Sequence, residues 1–206
     1  MRAFFWVSSR GLAVAGTPRA YVAARLDRVL RTPPGSERVH TGQMRWIVLS
    51  TPVGDLSVAS AREAICRVEF GRVDARPGRA EGVDDAVLAA ATAQLEEYFA
   101  GRRTAFELPL AEVGGSEFER AVRAELSRIP YGEMRTYGQV ATAVGDPGAA
   151  RAVGTACNRN PLPVLVPCHR VVGAGGKLVG FGGGLPRKRV LLELEARVRV
   201  ERDFAP

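Results

Sequence analysis

The residues with the clearest capacity for chemistry are Cys168 and His169, which stand side by side in the apolar stretch VLVPCHRVVG at 164–173. A thiolate is a nucleophile, and a nearby imidazole can accept the proton of the thiol. Neighbouring side chains on an extended strand point to opposite faces, so contact between these two requires a turn or a bridging water. Glu195, in the last predicted helix, is a candidate for orienting the imidazole. The alternative is an inert thiol in a buried strand.

The other cysteines and the second histidine show no pattern of a disulfide framework or a metal centre. The chain has three cysteines, Cys66, Cys157 and Cys168, and two histidines, His40 and His169. Three cysteines cannot all pair, and no spacing among them matches a zinc site. We therefore expect no metal, at least one free thiol and a reducing, cytoplasmic location. Cys66 lies in an alternating run and is predicted to pack in a core.

Charge is unevenly distributed along the 206 residues. The formal net charge of +7 includes −3 over residues 44–114 and +4 over residues 115–196. An acidic block beside a basic block indicates two units, the second of which faces an anionic partner such as nucleic acid. An arginine-rich proteome is an alternative source of part of the excess. No apolar run approaches the ~20 residues that span a bilayer, and no secretory signal is evident, so we expect no membrane partner.

Residues 44–112 have the pattern of a small α/β domain. RWIVLS and DLSVAS flank the turn TPVGD, and AICRVEFG adds a third alternating run, so three strands are predicted. DDAVLAAATAQLEEYFAG has acids at its start, a helical apolar stripe and a closing Gly101, and predicts a helix. AFELPL is predicted to be a further strand. The preceding residues 1–43 are predicted to be a poorly structured extension with at most a short helix around 19–31.

The pattern of residues 115–196 predicts a helical domain. GSEFERAVRAELSRIP begins with the spacing of a capping box, Ser116 and Glu119, and its apolar residues recur at helical intervals. A second capping-box spacing, Thr136 and Gln139, occurs in MRTYGQVATAVG. Two short helices separated by a tight turn would then form a helix-turn-helix.

The third helix of this domain, at about 147–158, is predicted to be the exposed one. Asp146 is its predicted N-cap, and Pro147 is expected in the first turn. Small residues on its early turns would let the helix backbone approach a surface closely. A final helix, PRKRVLLELEA, follows the glycine-rich VGFGGGL; its residues 187–189 are predicted to form a solvated basic face, and residues 197–206 a tail.

Taken together, these motifs resemble the O6-alkylguanine-DNA alkyltransferases, also called methylated-DNA–protein-cysteine methyltransferases. PCHRV at 167–171 is similar to the sequence around the acceptor cysteine of that family. RIPYGEMRTYGQVA, ARAVGTACNRNPLPVLVPCHRVVG and GFGGGLPRKRVLLELE match the family in order and spacing. TPVGDLSVAS and QLEEYFAGRRTAFELPL resemble its amino-terminal domain. The resemblance covers residues 44–196.

This resemblance implies roles for the residues of the site. Cys168 would take the alkyl group, and His169 would act as its base through a water, with Glu195 completing the relay. Tyr137 would donate to the flipped base and help to protonate the leaving guanine. Asn160 would brace the turn between the recognition helix and the active-site segment.

The DNA contacts and the pocket walls are implied in the same way. Arg151 would fill the gap that the flipped nucleotide leaves in the duplex, and the small residues beside it suit a minor-groove approach. Arg170, inside the motif, would be structural. The implied DNA-binding set is Arg151, Ala150, Gly154 and Tyr137. The implied pocket walls are Pro163, Val171, Phe181 and Gly182.

In fold, the resemblance implies a two-domain α/β (α+β) protein. A small ribonuclease H-like domain would precede a winged-helix-like helix-turn-helix domain that holds the DNA interface and the active site. In function, it implies a DNA repair enzyme that moves an alkyl group from O6-alkylguanine, and by extension O4-alkylthymine, in double-stranded DNA irreversibly to Cys168. No cofactor motif is present, and a monomer is expected.

Three alternatives are less well matched. A non-catalytic sensor of alkylated DNA would lack the acceptor cysteine, which is present here as Cys168. A transcriptional regulator of the same family would carry an additional region with metal-binding cysteines. A cysteine hydrolase would need a cysteine at a helix start and a distant histidine.

Overall fold

The structure, a computed structural model, describes residues 44–73 and 85–204, and the extension predicted at 1–43 lies outside the described residues. The first elements are three antiparallel strands in the order β1-β2-β3. Their bounds are β1 (Arg45–Thr51), β2 (Gly54–Ala61) and β3 (Ala64–Phe70). These strands confirm the three alternating runs seen in the sequence, and the sheet forms one layer of the amino-terminal domain.

The second layer is helix α1 (Ala86–Phe99), which begins where the acidic residues predict it. Oδ1 of Asp85 accepts hydrogen bonds from the backbone N–H groups of Val87 and Leu88 at 3.0 Å each. Oδ2 of Asp85 accepts a hydrogen bond from the Ser60 hydroxyl at 2.6 Å. One carboxylate therefore caps the helix and ties it to the sheet. The buried face of α1 consists of Leu88, Ala91, Leu95 and Tyr98.

The strand predicted for AFELPL is wrong. Only the end of this segment meets the sheet, where the N–H of Ile65 donates to Pro109 O and the N–H of Ala111 donates to Ile65 O, both at 2.8 Å. Pro109 has no N–H, so it cannot extend a ladder of hydrogen bonds. Earlier in the segment, the N–H of Glu107 donates instead to the side-chain oxygen of Gln94 at 2.7 Å.

The carboxy-terminal domain contains four helices and a short two-stranded parallel pairing. The helices are α2 (Glu117–Leu126), α3 (Tyr137–Ala143), α4 (Ala150–Asn158) and α5 (Leu185–Asp203). The pairing joins β4 (Arg135–Thr136) to β5 (Val171–Val172). Both predicted capping boxes are confirmed: Ser116 with Glu119 begins α2, and Thr136 with Gln139 begins α3.

The predicted start of the third helix is wrong. Helix α4 begins at Ala150 without a side-chain cap. Asp146 instead holds a tight turn over Pro147 and Gly148, because its side chain accepts from the N–H of Gly148 at 3.2 Å and its carbonyl accepts from the N–H of Ala149 at 3.0 Å. The Asp146–Pro147 pair therefore forms a turn that precedes the helix and is not its first turn.

The last helix differs from the prediction at both ends. It runs to Asp203, past residue 196, after which the sequence pattern placed a tail. The solvated basic face predicted at 187–189 is also wrong, because Lys188 is completely buried. Of its neighbours, Arg189 is exposed and Arg187 is partly buried.

One hydrophobic core runs through both domains. It includes Leu56 and Ile65 of the sheet, Leu95 of α1, Leu126 of α2 and Leu191 of α5. The segment 162–171 that surrounds the PCHR motif is buried throughout in this core. Among residues 44–73 and 85–204, no helix combines the length and apolar character needed to cross a bilayer.

Candidate active site

The PCHR motif forms a tight turn at the centre of the site. Cys168–Arg170 is a single turn of 3-10 helix, entered from Pro167, whereas the sequence left open a buried strand. Just before it, Val164 adopts the left-handed region with φ of 74°, which a β-branched residue rarely does. A turn lets neighbouring side chains serve one site, which an extended strand would not allow.

Asn160 holds this segment in shape, as the family resemblance implies. It follows helix α4, and its side-chain amide donates to Val166 O at 2.8 Å while its carbonyl oxygen accepts from the N–H of Leu162 at 3.1 Å. Asn160 is buried. Two hydrogen bonds from one side chain therefore fix the path of the chain that leads to Cys168.

Cys168 is a buried thiol, with 4% of its surface exposed. Burial raises its pKa, and a hydrogen bond with Asn160 and the nearby charge of Lys188 oppose that rise only in part. The resting thiol is therefore protonated at neutral pH and needs a base before it can act as a nucleophile. Cys157, which lies on α4, is also buried, and burial raises its pKa to about 12, with Cys168 adding to the rise.

His169 has the properties of that base. Burial lowers its pKa, and Arg170 and Lys188 act in the same direction, so the imidazole is neutral at pH 7 although Glu195 favours its charged form. Nε2 lies 2.9 Å from Oε1 of Glu195. An ionised carboxylate only accepts, so Nε2 carries the proton and Nδ1 presents a lone pair. Nδ1 is buried and has no hydrogen-bond partner among the described residues.

Glu195 is surrounded by donors, and sequence reasoning identified only one of them as part of the relay. Oε1 accepts from His169, from Tyr98 Oη at 2.7 Å and from Arg170 Nη2 at 2.9 Å. Oε2 accepts from the N–H of Gly132 at 3.0 Å and from Arg170 Nε at 2.8 Å. Burial opposes ionisation, but hydrogen bonds and charge from His169 and Arg170 outweigh it and hold the pKa of Glu195 well below its usual range. Arg170 also donates to Ile129 O at 2.6 Å, which fits its expected structural role.

Tyr137 and Lys188 meet at the loop before α5. Tyr137 Oη lies 3.0 Å from Val179 O and 3.3 Å from Gly180 O. Burial raises its pKa to about 12, with Cys157 and Cys168 adding to the rise, so the hydroxyl stays a donor at neutral pH. Lys188 Nζ donates to the same two carbonyls at 3.1 Å and to Val171 O at 2.6 Å. This role of Lys188 is not evident from the sequence, since a run of basic residues normally indicates a solvent-exposed face.

The loop that contains two of the predicted pocket walls, Phe181 and Gly182, packs against the amino-terminal domain. The ring of Phe181 meets Phe70 of β3 edge-on, with 5.6 Å between centroids. A Cβ added to Gly183 would lie 2.5 Å from the Phe70 ring, so the loop approaches that ring as closely as only glycine permits. Arg187 donates to Gly183 O at 3.0 Å and to Val53 O at 2.8 Å. The two other predicted walls, Pro163 and Val171, are buried, and Gly182 is exposed on the loop.

The residues predicted to contact DNA lie on helix α4. Arg151 is exposed and Ala150 is partly exposed, whereas Val153, Ala156 and Cys157 on the opposite side are buried. A Cβ added to Gly154 would lie 3.8 Å from the Tyr137 ring, so α4 passes close to α3. Arg151 thus lies on the solvent side of a helix whose other side contacts the core around Cys168. Within the described ranges, no group of three or more His, Cys, Asp or Glu residues is arranged to hold a metal ion.

Comparison with known protein families matches both halves of the chain. Residues 44–111 match the ribonuclease-like domain of 6-O-methylguanine DNA methyltransferase, and residues 117–197 match the DNA-binding domain of the same family. The methylated-DNA–protein-cysteine methyltransferase of Mycobacterium leprae is 45% identical over 148 residues, which are 71% of this chain and 89% of that protein. The constitutive enzyme of that name from Bacillus subtilis is 43% identical over 156 residues, 73% of this chain and 94% of that protein.

Solved structures give the same likeness. A crystal structure of Mycobacterium tuberculosis OGT in complex with DNA has a TM-score of 0.68 and 41% identity, and covers 75% of this chain and 94% of that chain. A crystal structure of the Mycobacterium tuberculosis O6-methylguanine methyltransferase has a TM-score of 0.67 and 40% identity, and the match covers 75% of this chain and 93% of that chain.

Proposed function

This chain belongs to the methylated-DNA–protein-cysteine methyltransferase family, and we propose that it moves an alkyl group from O6-alkylguanine in double-stranded DNA to its own Cys168. The main supporting observation is that one turn of 3-10 helix contains a buried thiol and, at the next residue, a neutral imidazole whose Nδ1 has no partner among the described residues. DNA as the partner is supported by the related Mycobacterium tuberculosis protein, which is bound to DNA in its crystal structure.

The first step is removal of the thiol proton. Because burial keeps Cys168 protonated, His169 Nδ1 takes the proton through a water, as the family resemblance implies. The imidazolium that forms is stabilised by Glu195, which lies 2.9 Å from Nε2 and remains ionised. The charge of Lys188 favours the thiolate. Proton transfer therefore creates a thiolate and an imidazolium among side chains of opposite charge, and these side chains stabilise both products.

The second step is displacement at the alkyl carbon. The thiolate of Cys168 forms a carbon–sulfur bond as the bond from that carbon to O6 breaks, and the electron pair of the broken bond leaves with guanine. Tyr137, whose raised pKa keeps its hydroxyl protonated, supplies a hydrogen bond to the base and helps to protonate it. The proton lost by the thiol equals the proton gained by guanine, so the step needs no cofactor. The thioether product is stable, so each molecule reacts once.

Access to the alkyl group requires extrusion of the damaged nucleotide. An O6 substituent is inaccessible within the base stack, and flipping the nucleotide costs a few kcal/mol. Arg151 is exposed on α4 and would occupy the gap in the duplex. The small residues around it, Ala150 and Gly154, suit close approach to the minor groove. O4-alkylthymine presents a similar alkyl–oxygen bond and is a further substrate candidate.

The setting we propose is a monomer in a reducing, cytoplasmic compartment. Cys66, Cys157 and Cys168 are all free in the structure, and the chemistry requires that Cys168 stay a thiol.

The proposal is tested by mass spectrometry after the protein is mixed with a duplex that contains one O6-methylguanine. We expect one added methyl group per protein. Trypsin separates the three cysteines into the peptides EAICR, AVGTACNR and NPLPVLVPCHR, so the methyl group can be assigned to Cys168 directly. A methyl group on either other peptide would overturn the site assignment.

Two alanine variants sharpen this test. Cys168→Ala is expected to take no methyl group and to keep its affinity for the alkylated duplex. Cys66→Ala, which also removes a buried thiol, should be methylated like the wild type. A wild-type protein that binds the alkylated duplex without any gain in mass would be a damage sensor instead.

A further inference from the structure

The carboxylate of the proposed relay receives one hydrogen bond from the other domain. Tyr98 lies on α1 in the amino-terminal domain, 97 residues before Glu195, and its hydroxyl donates to Oε1 at 2.7 Å. Both side chains are completely buried. The other donors to Glu195 in the described part of the chain, His169, Arg170 and the Gly132 amide, all belong to the carboxy-terminal domain.

Tyr98 shares an oxygen with the base. Oε1 accepts from Tyr98 at 2.7 Å, from His169 Nε2 at 2.9 Å and from Arg170 Nη2 at 2.9 Å, whereas Oε2 accepts from the N–H of Gly132 and from Arg170 Nε. Each further donor on this oxygen reduces the negative charge that it offers to the imidazole, and Tyr98 makes the shortest of these hydrogen bonds. Burial and the adjacent Glu195 raise the pKa of Tyr98 well above its usual value, so its hydroxyl remains a donor throughout the working pH range.

The ring of Tyr98 is fixed by packing. It lies edge-on to Phe99 and Tyr131, with 5.2 Å and 5.8 Å between centroids, and 5.3 Å from Phe106. These ring contacts and the hydrogen bond to Oε1 together hold the hydroxyl at Glu195. A rigid aromatic ring that carries a donor suits the positioning of a second group better than a flexible side chain would.

We propose that Tyr98 is a positioning residue through which the amino-terminal domain sets the basicity of His169 and with it the activation of Cys168. The inference rests on the proposed function. The charged and titratable groups around the imidazole and the Glu195 carboxylate include both signs and come from several elements. They are Glu195 and Lys188 of α5, Arg170 and Cys168 of the turn, Tyr98 of α1 and Tyr131 of the loop before β4.

The test is Tyr98→Phe, which keeps the ring and removes the donor. Charge then concentrates on the oxygen that faces Nε2–H, which favours the imidazolium and raises the pKa of His169. More of the base is protonated at a given acidic pH, so the acid limb of the rate profile should move to higher pH. The rate of Cys168 alkylation by free O6-benzylguanine is measured from about pH 4 to about pH 8, a range that extends below the ordinary pKa of histidine because burial lowers the pKa of His169. We expect the rate on the acid limb to fall by about tenfold, a fraction of what a general base supplies.

Tyr131→Phe is the matched control. The Tyr131 hydroxyl belongs to the same aromatic group and is buried, but it has no hydrogen-bond partner among the described residues. This variant should keep the wild-type pH profile. Thermal unfolding of both variants reports any purely structural effect, which would change the melting temperature and leave the pH profile in place.

A double variant tests whether the effect of Tyr98→Phe acts through Glu195. In a Glu195→Gln background the hydroxyl has no carboxylate to act on, so adding Tyr98→Phe should cause no further shift of the profile. An acid limb that is the same in Tyr98→Phe, Tyr131→Phe and the wild type would overturn the inference. A wild-type protein whose Cys168 is not alkylated would instead refute the proposed function itself, and this result is distinguishable from an unchanged acid limb.

Discussion

Glu195 collects five hydrogen bonds, from Tyr98, Gly132, His169 and twice from Arg170. This number explains how a carboxylate stays ionised where burial alone would protonate it. Its role in the relay is a prediction that rests on this geometry. The residue also makes the stability of the fold depend on pH, in a direction that follows from its lowered pKa.

Glu195→Gln should lower both the rate of alkylation and the free energy of unfolding. At neutral pH we expect about 3 kcal/mol of destabilisation, because Arg170 is left buried without its carboxylate. The folded-state pKa of Glu195 is lower than that of the unfolded chain. The stabilisation is therefore complete above the unfolded value of about 4.3 and is lost as the pH falls toward the folded value. Denaturant unfolding at neutral and acidic pH measures this difference.

Glu193→Gln is the control for that experiment, because Glu193 is exposed on the same helix. It should change neither the unfolding free energy by more than about 0.5 kcal/mol nor the rate. A Glu195→Gln protein as stable as this control at every pH would contradict the assignment of a buried, ionised carboxylate.

The sequence identifies the reacting residues of the site but not the residues that hold them in position. Cys168, His169 and Glu195 follow from residue type and family resemblance. Tyr98 does not, because the helical pattern only places it on a buried face and nothing local points to a residue 97 positions away. The prediction that Lys188 lies on a solvated face is wrong because its ammonium group donates to carbonyl groups of a strand and a loop. A local pattern of charges carries no information about these partners.

At the scale of elements, the loop before α5 depends on the domain that precedes it. Phe70 of β3 lies against Phe181 and so close to Gly183 that a Cβ would be 2.5 Å from its ring. Strands β1–β3 and the starts of α1, α2 and α3 were predictable, since alternation and helix caps are local. The approach of the loop to Phe70 is not local, and neither is the failure of AFELPL to pair, which follows from Pro109 at the edge of the sheet.

Gly183→Ala is expected to destabilise the protein by about 2 kcal/mol, because the new methyl group must displace the Phe70 ring. Gly182→Ala on the same loop is the control for stability, since a Cβ there would meet Asn158 O at an ordinary 3.5 Å. Thermal and denaturant unfolding compare the two variants. Equal stabilities would mean that the loop does not depend on its contact with the sheet.

At the scale of the whole molecule, the proposed activity has two separable parts, reaction at a buried thiol and capture of a nucleotide from duplex DNA. Residues 115–196 carry a formal charge of +4 and residues 44–114 a charge of −3. The positive unit also contains the exposed Arg151 and the buried Cys168. Because Arg151 is exposed and Cys168 is buried, a substitution of Arg151 can change the interaction with DNA without altering the surroundings of the thiol.

Arg151→Ala should slow repair of O6-methylguanine in duplex DNA by at least tenfold and leave the reaction with free O6-benzylguanine nearly unchanged, since only the duplex must be opened. Arg197→Ala removes the same charge from an exposed position on α5 and serves as the control. Single-turnover rates on both substrates provide the measurement. Equal losses on the two substrates would remove Arg151 from the duplex-opening role.

The hydrogen bond between Tyr98 and Glu195 also constrains how the protein folds. It closes a span of 97 residues, and contacts of such sequence separation slow folding because the entropy of loop closure must be overcome before they form. A chain with its helices formed but its domains undocked would hold a cysteine without the final environment of its base. After dilution from denaturant, the ability to accept an alkyl group should then return only with the last stage of refolding. A chain whose domains have not yet docked would therefore not react, and its single turnover would remain available to the folded protein.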